Sequence, residues 1–287
     1  MRRIVTASRT FVCAACALLF AALGVAVGGA AAAAAPNGYW VATAHGAVYP
    51  YGDASSLFGP ASTIKGLRAP IVAIATTPNR DGYWMVAADG GVFAFGKAKF
   101  YGSLGNLTLN APIAGMAASP SGRGYWLVAK DGGVFAFGDA AFRGSGVGAS
   151  PGQIWIGIAP LSSAPGYVLV SETGSLLAIN GPPAIPAATR EILGLQGRIV
   201  GIQMTTHGIW LVGRDGGVIT YDGGGFFGSL AHVALNAPIV GMTLTRDGRG
   251  YWLAAADGGV FAFGDAAFAG STGGAPPGDR FVGLATG

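Results

Sequence analysis

Between residues 113 and 145 the apolar and polar positions come in blocks: IAGMAAS, PSGRG, YWLVAK, DGG, VFAFGDA, AFRGS. Short runs rich in Val, Phe, Tyr and Trp, broken by Gly, Pro, Asp and Ser, predict strands joined by tight turns. Asp-Gly-Gly between two apolar runs predicts a hairpin, because glycine supplies the positive φ that such turns use. The block therefore offers three strands and a short fourth around Phe142–Ser145. Runs such as VFAF lack the alternation of a half-solvated sheet, so both faces are expected to be buried. No helical period of useful length runs outside the N-terminal segment.

The block repeats. Residues 124–142, GYWLVAKDGGVFAFGDAAF, recur at 250–268 with changes only at Val128/Ala254 and Lys130/Ala256, and a third copy starts at Gly82. Gly-Tyr-Trp or a relic of it begins at Gly38, Gly82, Gly124, Gly166, Gly208 and Gly250, spaced by 44 and then four times by 42 residues. A repeat of this length built from four short antiparallel strands predicts a propeller blade. The small-residue strand IAGMAAS is expected innermost, with counterparts at 71–76, 155–160, 199–204, 239–244 and 281–286. The chain enters at a second strand, Tyr39–Ala44, and leaves with an innermost one, Phe281–Thr286, so its two ends together complete one blade. The fold expected is all-β: a six-bladed β-propeller over residues 36–287, closed by its N- and C-terminal strands. An open β-solenoid is the alternative, although stacked repeats usually carry distinct end caps.

Composition adds a leader. Arg2, Arg3 and Arg9 precede an uncharged, apolar, Ala-rich stretch from Phe11 to Ala35, the pattern of an export signal over residues 1–35 with cleavage around 30–35. An uncleaved membrane anchor is the alternative. Cys13 and Cys16 both lie in this segment, which leaves the mature chain without thiols or disulfides. Loss of the three arginines takes the count from 17 basic and 13 acidic residues to 14 and 13, so no basic footprint for nucleic acid remains.

Six copies can be compared with one another. After each Gly stand Tyr39, Tyr83, Tyr125, Tyr167, Ile209 and Tyr251, then Trp40, Trp84, Trp126, Val168, Trp210 and Trp252. Aromatic platforms for sugars are one reading. Replacement by Val or Ile keeps bulk but removes a stacking face, which favours core between blades. The turn position holds His45, Asp89, Asp131, Thr173, Asp215 and Asp257. Aspartate before Gly-Gly caps its own turn, and one carboxylate per blade does not converge on a metal. The preceding position drifts most: Ala44, Ala88, Lys130, Glu172, Arg214, Ala256. Lys130, Glu172 and Arg214 are therefore the candidate partner-facing rim. They share a face with Asp-Gly-Gly and with the links into the innermost strands, such as Leu-Asn-Ala-Pro at 109–112 and 235–238.

Catalytic machinery is not evident. The innermost strands contain no Asp, Glu or His, and His45, His207 and His232 are scattered. No nucleophile elbow or metal-spaced histidine pair occurs. No cofactor, metal or catalytic residue is expected. The fourth unit, from Gly166, lacks Trp and Asp-Gly-Gly and carries a Pro-rich stretch, either by drift or as a docking surface.

The residues GYWLVAKDGGVFAFGDAAFRGS, with the link LTLNAPI at 107–113, are similar to the Gly-Tyr-Trp/Asp-Gly-Gly repeat of exported actinobacterial proteins. The resemblance covers residues 38–287, and units one and four depart from it. It implies fold and export and no established activity. The expectation is a monomeric, secreted or envelope-associated, non-catalytic module that binds a cell-wall polysaccharide or protein. The alternatives are an exported hydrolase with loop-borne acids and a purely structural envelope protein.

Overall fold

A computed structural model describes residues 38–54, 64–162, 164–181, 198–273 and 279–287. The expected leader lies outside these residues, as does the stretch 182–197 of the fourth unit. Among the described residues no helix is long and apolar enough to cross a membrane.

Among the described residues eighteen strands form six three-stranded antiparallel sheets. In chain order the second sheet holds β3 (Ile71–Thr76), β4 (Gly82–Ala87) and β5 (Val92–Gly96), and the third holds β6 (Ile113–Ala118), β7 (Gly124–Ala129) and β8 (Val134–Gly138). The fourth is β9 (Trp155–Pro160), β10 (Tyr167–Ser171) and β11 (Leu176–Ile179). The fifth is β12 (Ile199–Thr205), β13 (Gly208–Gly213) and β14 (Val218–Tyr221). The sixth is β15 (Ile239–Leu244), β16 (Gly250–Ala255) and β17 (Val260–Gly264). The first sheet combines β1 (Tyr39–Thr43) and β2 (Val48–Tyr51) with the last strand, β18 (Phe281–Thr286), in the order β18-β1-β2. Tyr39 pairs with Thr286 and Val41 with Leu284. β18 also packs against β3 and β15, the first strands of the second and sixth sheets.

Every residue of the middle strands is buried. The pleat explains how: successive side chains point to opposite faces, and each face meets a neighbouring sheet. Trp84 and Val86 of one face pack with Tyr125 and Leu127 of the next sheet, and Trp126 and Val128 pack with Tyr167 and Leu169. The same pattern joins Trp252 and Ala254 to Tyr39 and Val41, and Trp40 and Ala42 to Tyr83 and Met85. The Trp/Tyr columns are thus core between sheets, and none offers an open stacking face.

Polar ends of these rings hold the outer segments. Trp126 Nε1 donates to the carbonyl of Ala141 in its own unit at 3.0 Å. The Tyr125 hydroxyl reaches the preceding unit, donating to Gly102 O at 2.6 Å and accepting from Tyr101 N at 3.1 Å. Tyr39 makes the corresponding contacts with Gly270 and Ala269, across from the first sheet to the sixth.

The fourth strand expected around Phe142–Ser145 is not a strand; three per sheet are found. Gly144, at φ +136°, takes the chain out of the extended ladder geometry there, and the segment is tied instead by Tyr167, which bonds Arg143 N and Gly144 O. The glycine that opens each repeat has a separate reason: a Cβ on Gly124 would come within 2.3 Å of Phe137 O.

Each first strand also carries one extra residue against its partner. In β6, Ile113 faces Ala129 and Gly115 faces Val128, which leaves Ala114 unpaired. The corresponding skipped residues are Val72, Ile156, Val200, Val240 and Val282. Such a β-bulge twists the strand and re-aims its side chain.

Candidate functional site

The drifting position beside each hairpin turn is built into a backbone network. Lys130 N donates to Pro112 O at 3.0 Å, and Lys130 O accepts from Trp155 N, the first residue of the next sheet. Arg214 repeats this with Arg198 and Ile239, and Glu172 with Ile154 and Ile199. So do Ala44, Ala88 and Ala256, where Ala44 N meets Arg280 O and Phe281 N meets Ala256 O. These bonds use main-chain atoms alone, so the side chain at this position is free to vary. They also bring the hairpin turns and the links into the first strands to one end of the sheets, as the sequence predicts.

A cavity of about 370 Å³ opens at that end. Lys130 and Arg214 both line it, together with Arg280 and the bulge residues Val72, Val200, Val240 and Val282. Those valines also line a second, smaller cavity of about 110 Å³ bordered by all six first strands. Gln203 is the one polar side chain there, and its Nε2 donates to Met242 O at 3.0 Å. The candidate rim is therefore split by the structure. Lys130 and Arg214 share a cavity, whereas Glu172 forms an ion pair at 2.9 Å with Arg198, a residue of the link into the fifth sheet.

Arg280 and Arg198 were not singled out by the sequence reading. Both precede a first strand, where other units have Pro70, Pro112, Ile154 and Pro238. Comparison of that position across units carries the signal for both.

The turn aspartates behave as caps. Oδ1 of Asp89, Asp131, Asp215 and Asp257 accepts from Gly91, Gly133, Gly217 and Gly259 N at 2.9–3.1 Å. His45, their counterpart in the first sheet, lies with Nδ1 2.8 Å from Asp279 Oδ1. Despite partial desolvation, hydrogen bonds from Thr43 and His45 hold Asp279 below the ordinary carboxylate range. Asp131 also borders a shallow cleft of about 250 Å³ with Asn110, Ser145 and the exposed ring of Phe142.

Perturbed titration lies elsewhere. Burial pushes the phenols of Tyr39, Tyr83, Tyr125, Tyr167 and Tyr251 up, Tyr83 to about 12. At the far end of the strands, desolvation and Asp247 raise Asp265. Asp139 occupies the equivalent place in the third sheet, accepting from Ser119 and Ser121, so this position is a loop tie. Among the described residues no group of three or more His, Cys, Asp or Glu could hold a metal ion.

No family model matches the chain, and no curated protein matches it. Among solved structures, the chain is similar to the computationally designed Ika8 protein. The TM-score is 0.41 and the identity 13%, over 82% of this chain and 70% of that one.

Proposed function

We propose that the chain is an exported, non-catalytic β-propeller that binds a cell-envelope or extracellular partner through the end of the molecule carrying the hairpin turns. In this reading the six sheets are three-stranded blades closed into a circle by β1 and β18, and irregular segments such as Phe142–Ser145 run along their outer edges. Support for closure comes from the β1–β18 pairing and from packing between the sixth and first sheets that repeats every other interface. The leader over 1–35 is removed around 30–35, leaving a soluble monomer.

One observation carries the docking assignment. At the position whose backbone builds the end network, three units keep alanine while Lys130, Glu172 and Arg214 depart from it. The backbone network does not require those departures; Glu172 is engaged by Arg198, and Lys130 and Arg214 face the cavity, which supports a partner-facing role for the two cations. The cavity that Lys130 and Arg214 border is lined by no carboxylate, imidazole, hydroxyl or thiol, so the Lys130 amine stands there without an acid–base partner.

Incubation of the mature protein with purified envelope fractions tests this. Retention on at least one fraction is expected, with intact mass confirming cleavage around 30–35. Failure to be retained by any fraction contradicts the reading.

A further inference from the structure

We infer that the end cavity is a binding site for a multiply charged oxyanion, which presents phosphate or clustered carboxylate oxygens to Lys130, Arg214 and Arg280. The inference rests on the reading of this end as the docking face and names the chemistry that it recognises.

Placement comes first. Arg280 belongs to the first sheet, Lys130 to the third and Arg214 to the fifth, so the cations stand on alternate sheets. Around a closed circle that order approaches threefold symmetry, which suits charge gathered near the centre of the cavity. Each is also a departure from the repeat. Ala44, Ala88 and Ala256 occupy the position of Lys130 and Arg214, and Pro70, Pro112 and Pro238 that of Arg280.

Counter-ions point the same way. Among the described residues, Lys97, Arg123, Arg198 and Arg249 have carboxylate partners; Lys130, Arg214 and Arg280 have none. The same is true of Lys65, Arg68, Arg80, Lys99, Arg143 and Arg246, but Lys130, Arg214 and Arg280 line one cavity together. Arg198, also in a link at this end, is already neutralised by Glu172. Asp279, next to Arg280, is engaged by His45. The turn aspartates stand one residue further out, accept from their own glycines and do not line the cavity.

The walls then select by charge. The backbone N–H and C=O of Lys130 and Arg214 and the carbonyls of Pro70 and Arg280 bond within the network between sheets, and valines from the bulges form the floor. A ligand's hydroxyl groups would find no carboxylate or amide side chain to accept from them, so a neutral sugar is poorly matched. Anionic oxygens would find three charge-assisted donors, the stronger class of hydrogen bond. About 370 Å³ exceeds the needs of a single small oxyanion and fits a ligand carrying several.

Calorimetric titration of the mature protein with tripolyphosphate, citrate and inorganic phosphate, at low ionic strength, tests the inference. Tripolyphosphate or citrate is expected to bind, inorganic phosphate more weakly, and the order of the first two separates phosphate from carboxylate preference. Lys130→Ala and Arg214→Ala install the residue that other units already carry, so folding is preserved; thermal melts check it. Each is expected to weaken the tighter ligand about tenfold, and the double variant to abolish binding. Arg280→Gln is expected to match the single variants. Lys99→Ala, which removes the same charge from an outer segment, is expected to change nothing. Absence of binding by all three probes overturns the inference, as does equal weakening by Lys99→Ala and Lys130→Ala. No calorimetric binding together with envelope retention removes the oxyanion site and leaves the docking reading. Binding without retention does the reverse.

Discussion

Tyr125 shows how one hydroxyl joins two sheets. It donates to Gly102 O and accepts from Tyr101 N, both in the preceding unit, from a ring wholly buried between the sheets. Tyr125→Phe keeps the packing and orphans both backbone groups, so a loss of about 1–3 kcal/mol is expected in urea unfolding. A change within a few tenths would contradict the assignment. The same phenols set an alkaline limit. Burial raises Tyr39, Tyr83, Tyr125, Tyr167 and Tyr251 above the ordinary 10.0, Tyr83 to about 12. The native state then binds these protons more tightly than the unfolded chain does. Their contribution is intact below about pH 10 and is lost as the pH rises through the folded values. Melting temperatures are expected to fall steeply between pH 10 and 12, and a flat profile there would exclude buried phenols. From the sequence this column reads only as apolar bulk.

At the scale of the element, the strands and hairpins were legible because each is local: an apolar run ends at Asp-Gly-Gly, and the aspartate caps the turn it starts. Bulges were not legible, since one extra residue inside an apolar run changes no pattern that a sequence displays. Yet the bulge aims Val72, Val200, Val240 and Val282 at the cavity and gives the site its floor. The outer segments depart from the strand that their composition predicts for a related reason. Phe142–Ser145 has the composition of a strand, but a glycine at φ +136° and the side-chain ties from Tyr167 decide its course. Gly228 is the matching glycine of the fifth unit, where an added Cβ would approach Phe263 Cδ1 to 2.6 Å. Gly228→Ala is expected to destabilise by about 1–3 kcal/mol in chemical denaturation, through strain and overpacking together. A neutral effect would mean that the outer segment is not held where the structure places it.

For the whole molecule, the repeat predicts the number of sheets, and the cut in the repeat at both ends predicts which strands meet. The site was only half legible: Lys130 and Arg214 stood out against their alanine counterparts, whereas Arg280 depends on a strand from the far end of the chain lying beside β1. The proposed docking face depends on that same meeting, because Arg280 reaches the cavity through β18. Amide hydrogen exchange measures it most directly. In a circle, β1 and β18 are interior strands, and their amides are expected to exchange as slowly as those of β3 and β4, at the rate of global unfolding. Exchange in β1 and β18 faster by orders of magnitude, with β3 and β4 still protected, would contradict closure and with it the cavity that the cations share.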